Sequence, residues 1–293
     1  MPVAPIHHII QLRLQSLLPD IKTLHYQPIS GGSINDAFKL NDGRYQFFCK
    51  INSATKFPHL FAREVRGLQY LQQHSGIRVP KVILCFEEEE QQVLVLEWIN
   101  EGERKEAFWE NFGESLAAMH KCCAPEFGFN EDNYMGSVPQ SNRSAGNWVT
   151  FFKEQRLEPL VKKCTEKSLL SSSQHQLFCR LYQHLPDIFP LEINPSLQHG
   201  DLWSGNFMCD DKGQPVLIDP AIYFGHPSVD LGMTTLFGGF NPIFYQAYQY
   251  HAPFPPNYRE QWEVANLYPL LVHLYLFGNS YLHQIIQTLK KFQ

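Results

Sequence analysis

Residues 197–220 read "LQHGDLWSGNFMCDDKGQPVLIDP". The stretch is mostly apolar and turn-forming, as folded backbone is, yet Asp201, Asn206 and Asp219 stand in it with few basic neighbours. A carboxylate withdrawn from water without a partner is costly. The stretch therefore calls for a cation. Its spacing is specific: His199, Asp201 and Asn206 spell H-x-D-x-x-x-x-N, and Asp219 follows after a strand, a turn at Asp210 to Gly213 and a second strand.

That spacing suits phosphoryl transfer. One carboxylate, Asp201, accepts or orients the proton of an attacking hydroxyl, while Asn206 and Asp219 offer hard oxygen ligands to Mg²⁺ on the phosphates of ATP. His199 is read as holding the loop backbone, and Asp230 as a brace behind it. Lys50 stands at the end of a predicted strand, and a lysine pointing inward from a sheet needs a carboxylate. Glu64 lies fourteen residues further on, on the apolar stripe of a predicted helix with Leu60, Leu68 and Leu71, where it can pair with that lysine.

The flanking pattern predicts an α+β, two-lobed, protein-kinase-like fold. Residues 25–50 alternate in short apolar runs with a hairpin signal at Asn41-Asp42-Gly43, and "VPKVILCFEEEEQQVLVLEWI" gives two more strands around an acidic tip. With the helix around 57–75 this makes a small antiparallel lobe, assigned to residues 1–98. Residues 99–293 are assigned to a larger, mostly helical lobe. "KEAFWENFGESLAAMHKC", "WVTFFKEQRLEPLVKK" and "SSQHQLFCRLYQHL" are amphipathic, and two further helical regions span 228–250 and 258–291. Residues 124–147 read as a long polar loop, too long to be only a connection and so a candidate functional loop.

Composition narrows the class. The 293 residues are 44% hydrophobic and 18% charged, with a net charge of −5 and no basic block, which argues against tracking a nucleic-acid backbone. Seven cysteines without a CxxC pair read as reduced thiols. No signal-peptide pattern opens the sequence, and no apolar run nears the roughly 18 residues of a membrane span. A cytoplasmic monomer is expected.

"GGSIND", "NWVTFFKEQRLEP", "HGDLWSGN" and "IDPAIYFGHPSVDLGMTTLFGGF" together resemble the fructosamine kinase (ketoamine kinase) family, within the wider aminoglycoside-phosphotransferase-like group. The resemblance runs from about residue 20 to the C-terminus. It implies that Gly31, Gly32 and Ser33 cover the phosphates, that Lys50 with Glu64 contacts them, and that Glu97, Trp98 and Ile99 form the hinge that holds adenine. It further implies Asp201 as catalytic base, Asn206 and Asp219 as magnesium ligands, and Trp203 as the platform for the sugar. Some relatives carry a cysteine where this chain has Ser33. The implied reaction is ATP-dependent phosphorylation at position 3 of a ketoamine, free or on protein lysine, after which the adduct sheds its sugar. Asp219-Pro220-Ala221 stands where protein kinases have D-F-G, and no activation loop follows. The alternatives are a kinase of another hydroxylated amine, of aminoglycoside or choline type, and a non-catalytic nucleotide-binding module.

Overall fold

A computed structural model describes residues 5–29 and 34–292. The small lobe begins with helix α1 (Ile6–Leu17) and continues through strands β1 (His25–Pro28), β2 (Asp36–Asn41) and β3 (Gln46–Ser53). Helix α2 (Leu60–His74) follows, then β4 (Val82–Glu88) and β5 (Gln91–Glu97). The five strands form one antiparallel sheet in the order β1-β2-β3-β5-β4. The predicted hairpin turn joins β2 to β3: the Asp42 carboxylate accepts the backbone N–H groups of Arg44 at 2.8 Å and Tyr45 at 2.6 Å.

Strand alternation decides which side chains meet which helix. Val93 and Val95 of β5 join Cys49 and Ile51 of β3 against Ile10 and Leu14 of α1. Leu94 and Leu96 point the other way, onto Leu68 and Leu71 of α2. Lys50 lies between Cys49 and Ile51, so it faces the α2 side and is opposite Leu94 in register. The α2 layer is continuous with Phe108, Phe112, Leu202 and Phe207 of the larger lobe, so one apolar core spans both lobes.

The larger lobe contains α3 (Glu106–Met119), a hairpin of β6 (Asn133–Met135) and β7 (Val138–Gln140), α4 (Trp148–Phe151), α5 (Glu158–Glu166) and α6 (Ser172–Ile188). Four short strands follow: β8 (Ser196–Gln198), β9 (Phe207–Cys209), β10 (Pro215–Leu217) and β11 (Tyr223–Gly225), with β9 paired to β10 and β8 to β11. Helices α7 (Ser228–Leu236), α8 (Pro242–His251), α9 (Tyr258–Ala265), α10 (Leu267–Phe277) and α11 (Leu282–Leu289) close the fold. No helix among the described residues is long and apolar enough to cross a membrane.

Three expectations change in detail. Residues 124–147 are not a plain loop, because "NYMGSVPQ" folds back as β6–β7. The segment predicted as one helix from Trp148 is continuous but has a π-helical turn at Phe152–Leu157 between α4 and α5. That wider turn accommodates Arg156, which is fully buried with its guanidinium 4.0 Å from the Tyr223 ring centroid. The last helical region is divided at Asn266 and at Gly278.

Candidate active site

Strand β3 and helix α2 bring Lys50 and Glu64 together from fourteen residues apart. The Lys50 ammonium lies 2.9 Å from Glu64 Oε1 and 2.5 Å from Asp219 Oδ1. Burial alone would lower this ammonium, but Asp219 and Glu64 outweigh it and hold the group charged, above its ordinary value. Burial pushes the Glu64 carboxyl up and Asp219 adds to that, with Lys50 pulling the other way. One cation thus serves two carboxylates, and Asp219 remains 42% exposed with spare lone pairs.

The H-x-D loop is fixed from behind. Asp230 accepts the N–H of His199 at 2.8 Å and of Gly200 at 2.9 Å, and His120 Nε2 lies 3.2 Å from the same carboxylate. His120 in turn meets the Tyr248 hydroxyl at 2.8 Å. His199 Nε2 is 2.9 Å from the Ile218 carbonyl, which can only accept, so that nitrogen carries the hydrogen. Its Nδ1 accepts Asp201 N at 3.3 Å. Burial lowers the His199 imidazole, consistent with a neutral backbone clasp rather than a proton carrier. Gly200 has φ +83, and a Cβ there would fall 2.1 Å from the Ala221 carbonyl oxygen. Only glycine lets the loop pass so close to the strand that follows Asp219.

Asp201 is half-buried. Asn206 Nδ2 donates to Asp201 Oδ2 and to Asp201 O, each at 2.8 Å, so both amide hydrogens are used and the amide oxygen is left to face the pocket. Burial raises the Asp201 carboxyl well above the usual range; Asn206 opposes the rise, and the charges of Asp219 and Asp230 add to it. Asp219 itself sits at φ +55, a left-handed conformation uncommon outside glycine and asparagine that turns its carboxylate back toward β3.

A cavity of about 300 Å³ is lined by Lys50, Glu64, Asp201, Trp203, Asn206 and Asp219. Six of the side chains picked from the sequence therefore share one space. Trp203 stands edge-on to Phe237, with ring centroids 5.8 Å apart. Asp219 also borders a second recess, about 200 Å³, whose walls include Phe48, Leu96, Met208 and the residues expected at the hinge, Glu97, Trp98 and Ile99. The Glu97 side chain is engaged elsewhere. It accepts Lys81 N at 3.1 Å and pairs with Arg78 at 2.5 Å. Arg78 also pairs with Asp210 of the β9–β10 turn, and its carbonyl accepts Leu217 N at 2.9 Å. Gly31, Gly32 and Ser33 lie outside the described residues. A larger groove, about 500 Å³, lies between α7, α8 and α9, but its charged lining is only Arg259 and Glu263.

Asn206 and Asp219 fit a hard divalent cation: both line the cavity and both carry side-chain oxygen, and Asp219 is the more exposed partner of a cluster with excess negative charge. The sequence reading missed Arg63, Asn133, Tyr134 and Gly136, which line the same cavity. The signal for the last three was present. "NYMGSVPQ" alternates around a glycine, as a short hairpin does.

A sequence profile described as Fructosamine kinase matches residues 5–293. The chain belongs to the fructosamine kinase family. It is 35% identical over 281 residues to an Enterococcus faecium protein named "Probable ketoamine kinase", covering 95% of this chain and 99% of that one. It is 35% identical over 257 residues to the chloroplastic protein-ribulosamine 3-kinase of Arabidopsis thaliana, covering 86% and 78% of the two. A crystal structure assigned as a fructosamine-3-kinase from Haemophilus somnus superposes with a TM-score of 0.87 at 26% identity, covering 97% of this chain and 96% of that one. The fold is accordingly protein-kinase-like, α+β, with an antiparallel small lobe and a helical larger one. As a member of this family the chain is a phosphotransferase with a hydroxyl acceptor, and its phosphoryl donor is a nucleotide.

Proposed function

We propose that this kinase uses ATP to phosphorylate the position-3 hydroxyl of a ketoamine, on a small amine or a protein lysine, and so starts removal of the sugar. The single observation that supports this best is the shared cavity. Asp201 and the Lys50–Asp219 pair line one space, and Asp219 connects it to an apolar recess suited to a flat base. The Arabidopsis relative named protein-ribulosamine 3-kinase supports the position and the substrate class.

In this reading the Glu97–Ile99 backbone holds adenine in the recess, while Lys50, held by Glu64, contacts the α- and β-phosphates. Asn206 and Asp219 are the residues that would hold Mg²⁺, which supplies charge neutralisation on the phosphates. Asp201 accepts the hydroxyl proton as the sugar oxygen bonds to the γ-phosphorus and the bond to ADP breaks. A raised carboxyl suits that task, because its affinity for the proton lies closer to neutrality. Trp203 presents an aromatic face to the sugar's C–H groups and excludes water beside the hydroxyl.

The test is ATP turnover on ribuloselysine, fructoselysine, erythruloselysine, kanamycin and choline, with Asp201→Asn as the blank. Turnover on a ketoamine is expected, falling about 10³-fold in the variant with ADP affinity unchanged. Turnover confined to kanamycin or choline would overturn the substrate. Undiminished turnover by Asp201→Asn would overturn the role of Asp201.

A further inference from the structure

Helix α2 places Glu64 beside Lys50, but its neighbours Arg63 and Arg66 reach in another direction. Both guanidinium groups converge on one oxygen, Oε2 of Glu131, with Arg66 Nη1 at 2.6 Å. Glu131 precedes the β6–β7 hairpin in the larger lobe, and its side chain is only 11% exposed while Arg66 is 63% exposed. A carboxylate so far withdrawn from water between two arginines is costly to separate from them, unlike a solvated surface pair.

Glu131 is itself anchored to the interior. Its carbonyl accepts Asn142 Nδ2 at 3.0 Å, and Asn142 N donates to the Asp132 carboxylate at 2.7 Å. Asn142 Oδ1 accepts the buried Arg156 guanidinium at 2.7 Å. A continuous polar path therefore runs from Arg156 through Asn142 and Glu131 to the helix that carries Glu64. Two more contacts fix the same helix to the same wall. The Tyr134 hydroxyl donates to the Pro58 carbonyl, just before α2, at 3.0 Å. Gly67 lies so near Pro220, next to Asp219, that an added Cβ would be 3.2 Å from its ring.

We propose that Glu131 is a positioning residue for phosphoryl transfer: by gathering Arg63 and Arg66 it sets α2 so that Glu64 stays on Lys50. The inference rests on the reading of Lys50 and Glu64 given under the proposed function. Glu131 is not among the residues that line the cavity, and its effect passes through the helix.

A double-mutant cycle tests it, using kcat and KM on the best ketoamine, melting temperature and ADP affinity. Glu131→Gln keeps the size of the side chain and removes its charge. Its kcat is expected to fall about tenfold while KM for the ketoamine stays within about twofold. Glu131→Asp, which keeps the carboxylate, should recover most of the loss. In a Glu64→Gln background, Glu131→Gln should cost nothing further, because the group it acts through is gone. Arg66→Gln, at an exposed side chain, carries the same inference should Glu131→Gln fail to fold: a loss of about threefold in kcat, again absent in the Glu64→Gln background. Additive losses would overturn the proposal, since they would mark Glu131 as a general stabiliser. A full Glu64→Gln defect beside normal Glu131→Gln turnover would overturn this inference alone. Undiminished turnover by Glu64→Gln would overturn the Lys50–Glu64 reading and this inference with it.

Discussion

Asp201 lies in the loop after β8 and Asp230 in the first turn of helix α7 behind it, and the structure treats them in opposite ways. Asp230 is fully buried, and its oxygens are filled by the N–H groups of His199 and Gly200 and by His120. Asp201 is half-buried and has one side-chain partner, the amide of Asn206. Among the described residues no lysine, arginine or histidine forms an ion pair with it. Fixed donors make the first aspartate a part of the scaffold. The second keeps vacant lone pairs toward a cavity, and unfilled capacity there is what a proton acceptor needs. The contrast explains why two identical side chains, each costly to bury, are retained in one small region.

The comparison can be broken most sharply by amidating each in turn. Asp201→Asn should lose about 10³-fold in turnover and keep its melting temperature. Because ionising Asp201 costs the folded state more than the unfolded, the variant should even melt higher at pH 8, an advantage that disappears as pH falls through the raised carboxyl value. Asp230→Asn should do the reverse. Breaking a buried, fully bonded charge costs about 3 kcal/mol, or roughly 6–12 °C in melting temperature, with the folded fraction still active. A destabilised Asp201→Asn or a silent Asp230→Asn, read by calorimetry, would erase the distinction.

A smaller effect separates the two by pH. Asp201 is raised and Glu64 is pushed up to about 7, and both must be ionised to act. For the nucleotide, kcat/KM reports the free enzyme, so it should fall as pH drops through about 7, by about tenfold per unit. A profile flat down to pH 5 would mean that the cavity carboxylates are as well satisfied as Asp230. The smallest expected effect concerns a scaffold histidine. Burial, with His120 nearby, lowers the His226 imidazole to about 3, and its Nδ1 accepts Ser228 N at 3.0 Å. Its contribution to stability is complete above the ordinary histidine value and is lost as pH falls toward about 3. His226→Gln should therefore flatten the loss of melting temperature between pH 7 and 5 by a few degrees, about 1–2 kcal/mol of linkage. An unchanged slope would remove His226 from the account.

Much of this was legible in the sequence because it is local or periodic. The Asn41-Asp42-Gly43 turn, the apolar stripe of α2 and the alternation of β5 each declare an element within a few residues. The H-x-D spacing was informative for the same reason, since Asp201 and Asn206 meet across one tight loop. What stayed hidden depends on distance along the chain. Arg63 and Arg66 meet Glu131 across 65 residues or more, and Arg156 reaches back to Ser141 and Asn142 from a π-helical turn that no apolar period announces. Nothing beside Glu131 in the chain marks it, because its partners belong to another lobe. The β6–β7 hairpin left only a faint signal, the alternation around Gly136, because each strand is three residues long.

Arg78 has a mechanical consequence. It fastens β5 to the β9–β10 turn beside the apolar recess, while the Glu131 contacts lie on the other flank of Asp219. A body riveted at two separate points cannot swing about either one, so these two sets of contacts together hold the small lobe over Asp219 as a fixed roof.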